Sequence, residues 1–127
     1  MEVKSFENVE VWQIGRDLVT KVCMLTASLP ESEAFGLIPQ IKRATLSVPA
    51  NIAEGFGHYH YMDKARLYLN ARGSLYKLKN HLLIARDLKY LKRSQPVSDV
   101  LTLVDNLGVK LNNLIATTRK LKNKESQ

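Results

Sequence analysis

The feature that most constrains the fold is a heptad pattern of apolar residues in the second half of the chain. Tyr68, Leu75 and Leu82 lie seven residues apart, and a second apolar row begins three residues later, at Ala71. Rows with these spacings fall on one face of an α-helix, because a helix turns once in about 3.6 residues. The pattern predicts a long helix from Tyr61 to Leu91 whose apolar face packs in a helical bundle.

Three further segments have the same helical period, and none of the four shows the strict alternation of a half-buried strand. Their predicted ranges are residues 9–29, 39–56 and 97–121. Pro49 lies inside the second helix of the chain, and we expect a kink there because proline has no N–H and its ring crowds the preceding turn. Four amphipathic helices with short connections predict an all-α fold, an antiparallel up-and-down four-helix bundle.

The length suits one domain, and we expect residues 1–127 to form a single four-helix-bundle domain. The core is expected over about residues 6–121, followed by a basic polar tail at 122–127. No run of about 18 consecutive apolar residues is present, so no membrane span is predicted. The first residues lack the basic and apolar pattern of a signal peptide, and a cytoplasmic location is therefore expected.

Positive charge is concentrated after the first helical segment. The sequence has 19 Lys and Arg residues against 12 Asp and Glu, a net charge of +7. Residues 1–35 carry three bases and six acids, whereas residues 36–127 carry sixteen bases and six acids. Such an excess in one region favours an anionic partner, nucleic acid above all, although surface charge of this kind also serves solubility alone.

Bases recur at seven-residue spacing on the long third helix, between two apolar rows. Long basic side chains often lie across apolar rows with their charged ends in water, and the same arrangement suits sequence-independent contact with phosphates. The candidate nucleic-acid-binding residues are this line and the bases near the ends of the last two helices: Arg72, Lys79, Arg86 and Arg93, with Lys89, Lys92, Arg119, Lys120 and Lys122.

Few residues suit catalysis or a metal site. His58 and His60 flank Tyr59, and Asp63 follows, a set that converges on a metal only if the segment is extended. In a helix, residues two apart point in nearly opposite directions, so we expect these side chains to be surface groups. Cys23 is expected to be a buried, inert thiol. We therefore predict no enzyme activity, no metal site and no cofactor.

One stretch of the second helix is specific enough to indicate a family. It reads Ser47-Val48-Pro49-Ala50-Asn51-Ile52-Ala53-Glu54-Gly55. Its flanking matches are Phe6, Val11-Trp12-Gln13, Phe35-Gly36-Leu37, Gln40, Arg43-Ala44, Ala71 and Gly73-Ser74-Leu75. Over about residues 6–121, this pattern resembles the signature of the 23S rRNA intervening-sequence protein family, also called four-helix-bundle proteins.

The resemblance implies one antiparallel four-helix bundle per chain and assembly into a ring-like homopentamer. Many members are encoded inside insertions of bacterial 23S rRNA genes. A related branch comprises the accessory proteins of diversity-generating retroelements, which bind a reverse transcriptase and nucleic acid. We therefore expect a homo-oligomer with RNA or DNA as its partner. The alternatives are a protein adaptor, such as a reverse-transcriptase partner, and a structural bundle with no nucleic-acid role.

Asn51 and Glu54 lie one turn apart on the polar face of the second helix, beside Pro49. Asn51 is placed to satisfy the carbonyl that Pro49 leaves free. Glu54 is placed to pair with a base on the third helix or in a neighbouring subunit. Pro49, Asn51, Glu54 and Gly55 are interpreted as structural or interface residues, with a ligand role for Asn51 and Glu54 as the alternative.

Overall fold

The computed structural model describes residues 5–125. Single 3₁₀ turns occupy Phe6–Asn8 and Glu31–Glu33. Four α-helices form the rest of the regular structure: α1 (Glu10–Thr26), α2 (Leu37–Gly57), α3 (Tyr61–Asp87) and α4 (Gln95–Glu125). No strand occurs within the described residues, and the predicted all-α four-helix bundle is confirmed.

Neighbouring helices run in opposite directions. Arg72 of α3 bonds Asn112 of α4. Lys79, seven residues later, bonds Asp105, seven residues earlier. Consecutive helices pack against each other, and α1 also packs against α4, which closes the bundle. The helices therefore follow an up-and-down order around one shared core.

The core forms where the apolar stripes of the four helices meet. Burying each large aliphatic side chain there stabilises the fold by about 1.5–3 kcal/mol. Within residues 5–125, every helix falls short of the length and apolar character that a membrane crossing requires. The largest fully buried side chains include Leu18, Val22, Ile41, Val48, Ile52, Leu75, Leu78, Val104, Leu107, Leu111 and Ile115.

Helix ends differ from the prediction more than helix positions do. α1 ends three residues early, at Thr26. α3 ends at Asp87 instead of Leu91, because Lys89 adopts a left-handed backbone with φ of 68° that stops the helix. α4 continues to Glu125, so residues 122–125 of the predicted tail are helical. Residues 126–127 of that tail lie outside the described residues.

α2 runs continuously through Pro49. The proline removes the donor that would otherwise reach the Thr45 carbonyl one turn earlier. Thr45 itself is buried, and its hydroxyl donates to the Ile41 carbonyl at 2.6 Å. The bend expected from this proline stays a prediction.

Candidate nucleic-acid interface

Pro49 of the sequence motif faces α1. A Cβ atom built on Gly15 would lie 3.4 Å from the Pro49 Cβ and 3.6 Å from its Cα. The two helices approach closely here, since glycine contributes no side chain and the proline ring fills the space. Pro49 is therefore a packing residue between α1 and α2.

Asn51 does not bond the carbonyl that Pro49 leaves free, so that prediction is wrong. Its Nδ2 donates to the Ser47 carbonyl at 2.8 Å and contacts the Ser47 Oγ at 3.0 Å. The freed carbonyl belongs to Thr45, whereas an Asn51 side chain that folds back one turn reaches residue 47. Ser47 Oγ in turn shares a 2.8 Å hydrogen bond with Ser74 Oγ, which joins α2 to α3.

Gly55 allows α2 and α3 to touch. A Cβ atom at this position would lie 2.7 Å from Tyr68 Cε1, which is closer than packed side chains tolerate, and 3.3 Å from Leu67 Cβ, which is a tight contact. Beside it, the Lys64 ammonium donates to the Phe56 carbonyl at 2.7 Å and to the Gly55 carbonyl at 3.4 Å. These bonds cap the end of α2. Burial lowers the pKa of Lys64.

Glu54 forms no pair with a base of α3, contrary to one of the two predicted pairings. Its carboxylate lies 3.9 Å from Nε2 of His58, and Nδ1 of the same ring lies 3.9 Å from Asp63. Glu54 faces outward, with 61% of its side chain exposed. Its partner is His58, one turn later on the same side of the helix end. Pairing with a neighbouring subunit stays a prediction. Within residues 5–125, no three His, Cys, Asp or Glu side chains are placed to share a metal.

The predicted basic line of α3 lies along the groove where α3 meets α4. Arg72 donates to Asn112 Oδ1 at 3.0 Å, and the Lys79 ammonium pairs with the Asp105 carboxylate at 2.7 Å. Arg86 follows one heptad further along. All three basic side chains are partly buried, as expected for long stems that cross an apolar row.

At one end of this groove, Arg86 and Arg93 line the same cleft. Heptad spacing predicts Arg93 as the last member of the basic line on the third helix. That prediction is wrong, because α3 ends at Asp87. The joint formed by residues 88–94 turns back and brings Arg93 beside Arg86 at the start of α4. A turn rather than heptad spacing therefore makes these two residues neighbours.

At the other end, a basic cleft contains a residue that sequence reasoning missed. Arg66 lines it together with Arg119 and Lys122 of α4. Arg66 lies outside the heptad row of Arg72, so periodicity gives no signal for it. Only the register between α3 and α4 brings it beside the end of α4.

Together these residues form a basic line from two helices and their joint. From Arg66 to Arg86, it extends twenty residues along α3, about 30 Å at 1.5 Å per residue. Four of its arginines, at positions 66, 86, 93 and 119, have no side-chain hydrogen bond or ion pair within the described part of the chain. We name this line the α3–α4 seam; its members are Arg66, Arg72, Lys79, Arg86, Arg93, Arg119 and Lys122.

Three predicted binding residues lie outside the α3–α4 seam. Lys89 and Lys92 line a separate cleft between the α1–α2 joint and the α3–α4 joint. Lys120 is exposed on α4, next to Arg119 in sequence but rotated by about 100° around the helix. The predicted set is therefore divided between the groove, one end of the bundle and the outer face of α4.

A hydrogen bond ties the two joints at the Lys89 end of the bundle. Tyr90 Oη donates to Glu33 Oε2 at 3.1 Å, and Glu33 Oε1 accepts the Leu37 N–H at the start of α2 at 3.1 Å. The bond to Glu33 raises the pKa of Tyr90, and burial and the carboxylate charge act in the same direction. The α3–α4 joint is thus anchored to the beginning of α2.

Cys23 is exposed, so the expectation of a buried thiol is wrong. The buried positions of α1 include Leu18 and Val22. Cys23 follows Val22 directly, and one residue rotates a side chain by about 100° around a helix. It therefore leaves the buried stripe, although it is adjacent to it in sequence.

These features define the class: an all-α, up-and-down four-helix bundle with a basic groove between its last two helices. The sequence profile of the 23S rRNA-intervening sequence protein family matches residues 7–113. The chain belongs to this family. The match includes α1, α2 and α3 and most of α4, but it ends before Arg119 and Lys122 of the α3–α4 seam. No curated protein matches the chain.

Proposed function

We propose that the protein is a non-enzymatic basic module that binds RNA or DNA through phosphate contacts along the α3–α4 seam. The observation that supports this function is the α3–α4 seam itself, in which cationic side chains from two helices follow one groove. Such a line attracts phosphates whatever the base sequence. Membership of the 23S rRNA-intervening sequence protein family is compatible with association with nucleic acid.

The spacing of the α3–α4 seam favours phosphate contact over base reading. Bases seven residues apart on α3 are separated by about 10 Å. The rise per nucleotide along each strand of a duplex is about 3.4 Å, so consecutive bases in the duplex cannot each meet one of these side chains. Arg72 and Lys79 already bond α4 residues, and we therefore expect the arginines at the two ends to contribute most of the affinity.

We infer no catalytic step and no cofactor for this function. Arginine side chains keep their positive charge in proteins, so the arginines of the α3–α4 seam hold anions but do not exchange protons in a reaction. The α3–α4 seam is therefore suited to binding and orienting a polyanion rather than to breaking a bond.

Self-association is the second part of the proposed function. Leu46 of α2 is 56% exposed and Tyr76 of α3 is 54% exposed, so both helices leave apolar surface uncovered. One surface is a groove between α1 and α2, lined by Trp12, Val19, Leu46, Pro49 and Ala53. A ring-like homopentamer is the arrangement that the family resemblance implies. Five chains would carry a net charge of five times +7, or +35, which multiplies weak phosphate contacts.

Light scattering at micromolar protein concentration tests the assembly. A pentamer has a mass of five times 14.4 kDa, or about 72 kDa. A mass of 14.4 kDa for the dominant species would contradict self-association. Leu46→Arg provides a variant, because a charge at this exposed position should disrupt an apolar interface without entering the core.

Salt dependence tests nucleic-acid binding. Affinity for a labelled RNA or DNA duplex should fall steeply between roughly 50 and 200 mM salt. Arg66→Ala/Arg119→Ala should reduce the slope of log affinity against log salt by about 2 for each chain that contacts the duplex, because each such chain loses two phosphate contacts. The matched control, Lys42→Ala/Arg43→Ala, removes the same charge from exposed positions of α2.

The control variant should retain most of the wild-type salt slope. If both double variants lose the same affinity, net charge rather than the α3–α4 seam is responsible. If the wild-type protein shows no binding at about 50 mM salt, the nucleic-acid function is wrong.

A protein adaptor is the second candidate function, favoured by the exposed apolar groove of α1 and α2. Its partner would be a protein, such as the reverse transcriptase that the family resemblance suggests, and the charge of the α3–α4 seam would be incidental or shared. A pull-down with the product of the neighbouring gene tests it. Leu46→Arg should then reduce capture, whereas Arg66→Ala/Arg119→Ala should not. Failure of both tests would leave a structural bundle with no nucleic-acid role.

A further inference from the structure

The cleft at the α3–α4 joint is one of two clefts at the ends of the α3–α4 seam. We name it the joint cleft. Its volume is about 420 Å³, within the range of small-molecule sites. Arg86 and Arg93 line it together with three hydroxyl side chains, Ser94, Ser98 and Thr102. Gln95, Val97, Leu101 and Asp105 complete the wall, so the cations and hydroxyl groups occupy one part of a mixed polar and apolar cleft.

Arg86 brings an unpartnered donor to the joint cleft. Its Nε has less than 1 Å² of accessible surface and no hydrogen-bond partner within residues 5–125. Covering a donor without giving it an acceptor is unfavourable. A guanidinium also keeps its charge in proteins, so burial does not remove the positive charge. An anion that accepts from the remaining N–H groups would offset the positive charge of this guanidinium, while the covered Nε itself keeps no acceptor.

The surroundings of Arg86 reinforce the positive potential. Arg93 has no ion pair within the described residues. The N-terminus of α4, which is the positive end of its helix dipole, also lies at the joint cleft. One carboxylate, that of Asp105, is in the wall, but it is paired with Lys79 at 2.7 Å. This pairing offsets its charge and leaves two uncompensated arginines.

We propose that the joint cleft binds a phosphate monoester, held between the guanidinium groups of Arg86 and Arg93. Two permanent cations match a dianion, and the forked donors of guanidinium fit phosphate oxygens. Two sources carry this chemistry: the phosphorylated end of a nucleic-acid strand and a free phosphorylated compound. The first source rests on the proposed function, whereas the second does not.

Arginine side-chain NMR on the full-length protein tests the joint cleft. The chain has seven arginines, and the Nε–H signals of all seven are to be recorded near neutral pH. Inorganic phosphate is titrated at constant ionic strength, with chloride as the compensating ion. The Arg86 and Arg93 signals, assigned with Arg86→Lys and Arg93→Lys, should shift to saturation. No saturable shift, or equal shifts of all seven signals, would overturn the site.

Substitutions provide a second readout. Arg86→Gln should weaken phosphate binding by about tenfold or more, since a charge-assisted bidentate contact is lost. Arg43→Gln is the matched control, because Arg43 is an exposed arginine on α2. Phosphate should raise the Tm of the wild type and of Arg43→Gln, but not that of Arg86→Gln. If Arg86→Gln does not fold, the NMR titration of the wild-type protein still decides whether the joint cleft binds phosphate.

Two oligonucleotides of one sequence, with and without a 5′ phosphate, distinguish the sources. If the phosphorylated strand binds several-fold more tightly and Arg86→Gln abolishes the difference, the source is a strand end. If phosphate saturates the joint cleft but both strands bind equally, the site stands and takes a free phosphorylated compound. If phosphate saturates it and neither strand binds, the joint cleft stands while the proposed function fails. If both strands bind but phosphate does not saturate it, only the joint cleft is overturned.

Discussion

α2 and the α3–α4 seam differ in how far packing explains their residues. On α2, Pro49 packs against α1, Asn51 bonds Ser47, and Gly55 touches Tyr68. In the α3–α4 seam, four arginines have no partner within the described residues. The most specific stretch of the sequence therefore lies where helices touch. The candidate binding surface consists of residues whose main shared property is charge.

The difference has a physical origin. A position between two close helices accepts few side chains, because one added methyl group has no room. Contact with phosphates accepts arginine or lysine at several positions, because it depends mainly on the number and nearness of charges. The ligand role considered for Asn51 loses support, since its amide is engaged in α2. Glu54 is exposed, so packing does not explain why a glutamate occupies this position.

The largest effect in this comparison is expected from one methyl group at Gly55. Gly55→Ala should lower the free energy of unfolding by about 1–3 kcal/mol, because the new Cβ would lie 2.7 Å from the Tyr68 ring. Chemical denaturation measures the change. The salt slope of nucleic-acid binding should be unchanged under conditions in which the variant is folded.

Gly73→Ala is the matched control on α3. Gly73 is exposed, and no atom beyond its own stretch of helix lies within 4 Å of a Cβ built there. This variant should raise the free energy of unfolding by about 0.5–1 kcal/mol, because alanine favours a helix over glycine. If the two substitutions change stability in the same direction, close contact at Gly55 is not the cause.

A smaller loss is expected from Asn51. Asn51→Ala should lower the free energy of unfolding by about 1 kcal/mol, because its bonds to Ser47 are lost. Nucleic-acid affinity, measured by fluorescence anisotropy on the folded variant, should stay at the wild-type value. Weaker binding with unchanged stability would assign Asn51 to the binding surface and contradict its structural role in α2.

The smallest effect concerns the joint that carries Arg93. The pKa of Tyr90 is raised in the folded state, so its contribution to stability is complete below about pH 10 and is lost as the pH rises toward its folded value. Tyr90→Phe should therefore show a shallower alkaline fall in the free energy of unfolding. Burial also raises the pKa of Tyr68. The free energy of unfolding of the wild type and of Tyr90→Phe should therefore both fall at alkaline pH because of Tyr68. Superimposable alkaline profiles would show that the Glu33 bond contributes nothing.

Periodicity predicted which segments are helical, because seven-residue spacing places side chains on one face whatever the rest of the chain does. It predicted helix ends less well. The end of α3 depends on the left-handed backbone of Lys89, a position where neither glycine nor asparagine signals a stop. Cys23 shows the same limit, because adjacency to Val22 in sequence does not mean adjacency on the helix surface.

The arrangement of the candidate site could be predicted only along one helix, although Arg119 and Lys122 of α4 were among the predicted residues. Arg72, Lys79 and Arg86 follow a single heptad row, and the structure places all three in one groove. Arg66 and its neighbours on α4 come together through the register of two helices, which local spacing does not encode. Heptad spacing predicts Arg93 beside Arg86. The two residues do line one cleft, but the turn after α3, rather than a continuing helix, brings them together.

Amide chemical-shift mapping with a short oligonucleotide tests most directly whether the α3–α4 seam, rather than the motif helix, holds the ligand. The chemical-shift changes should be concentrated on α3 and α4 around Arg66, Arg86 and Arg119, with the exposed positions of α2 unaffected. Shifts concentrated at Arg43 and Glu54, with an unchanged α3–α4 seam, would contradict it.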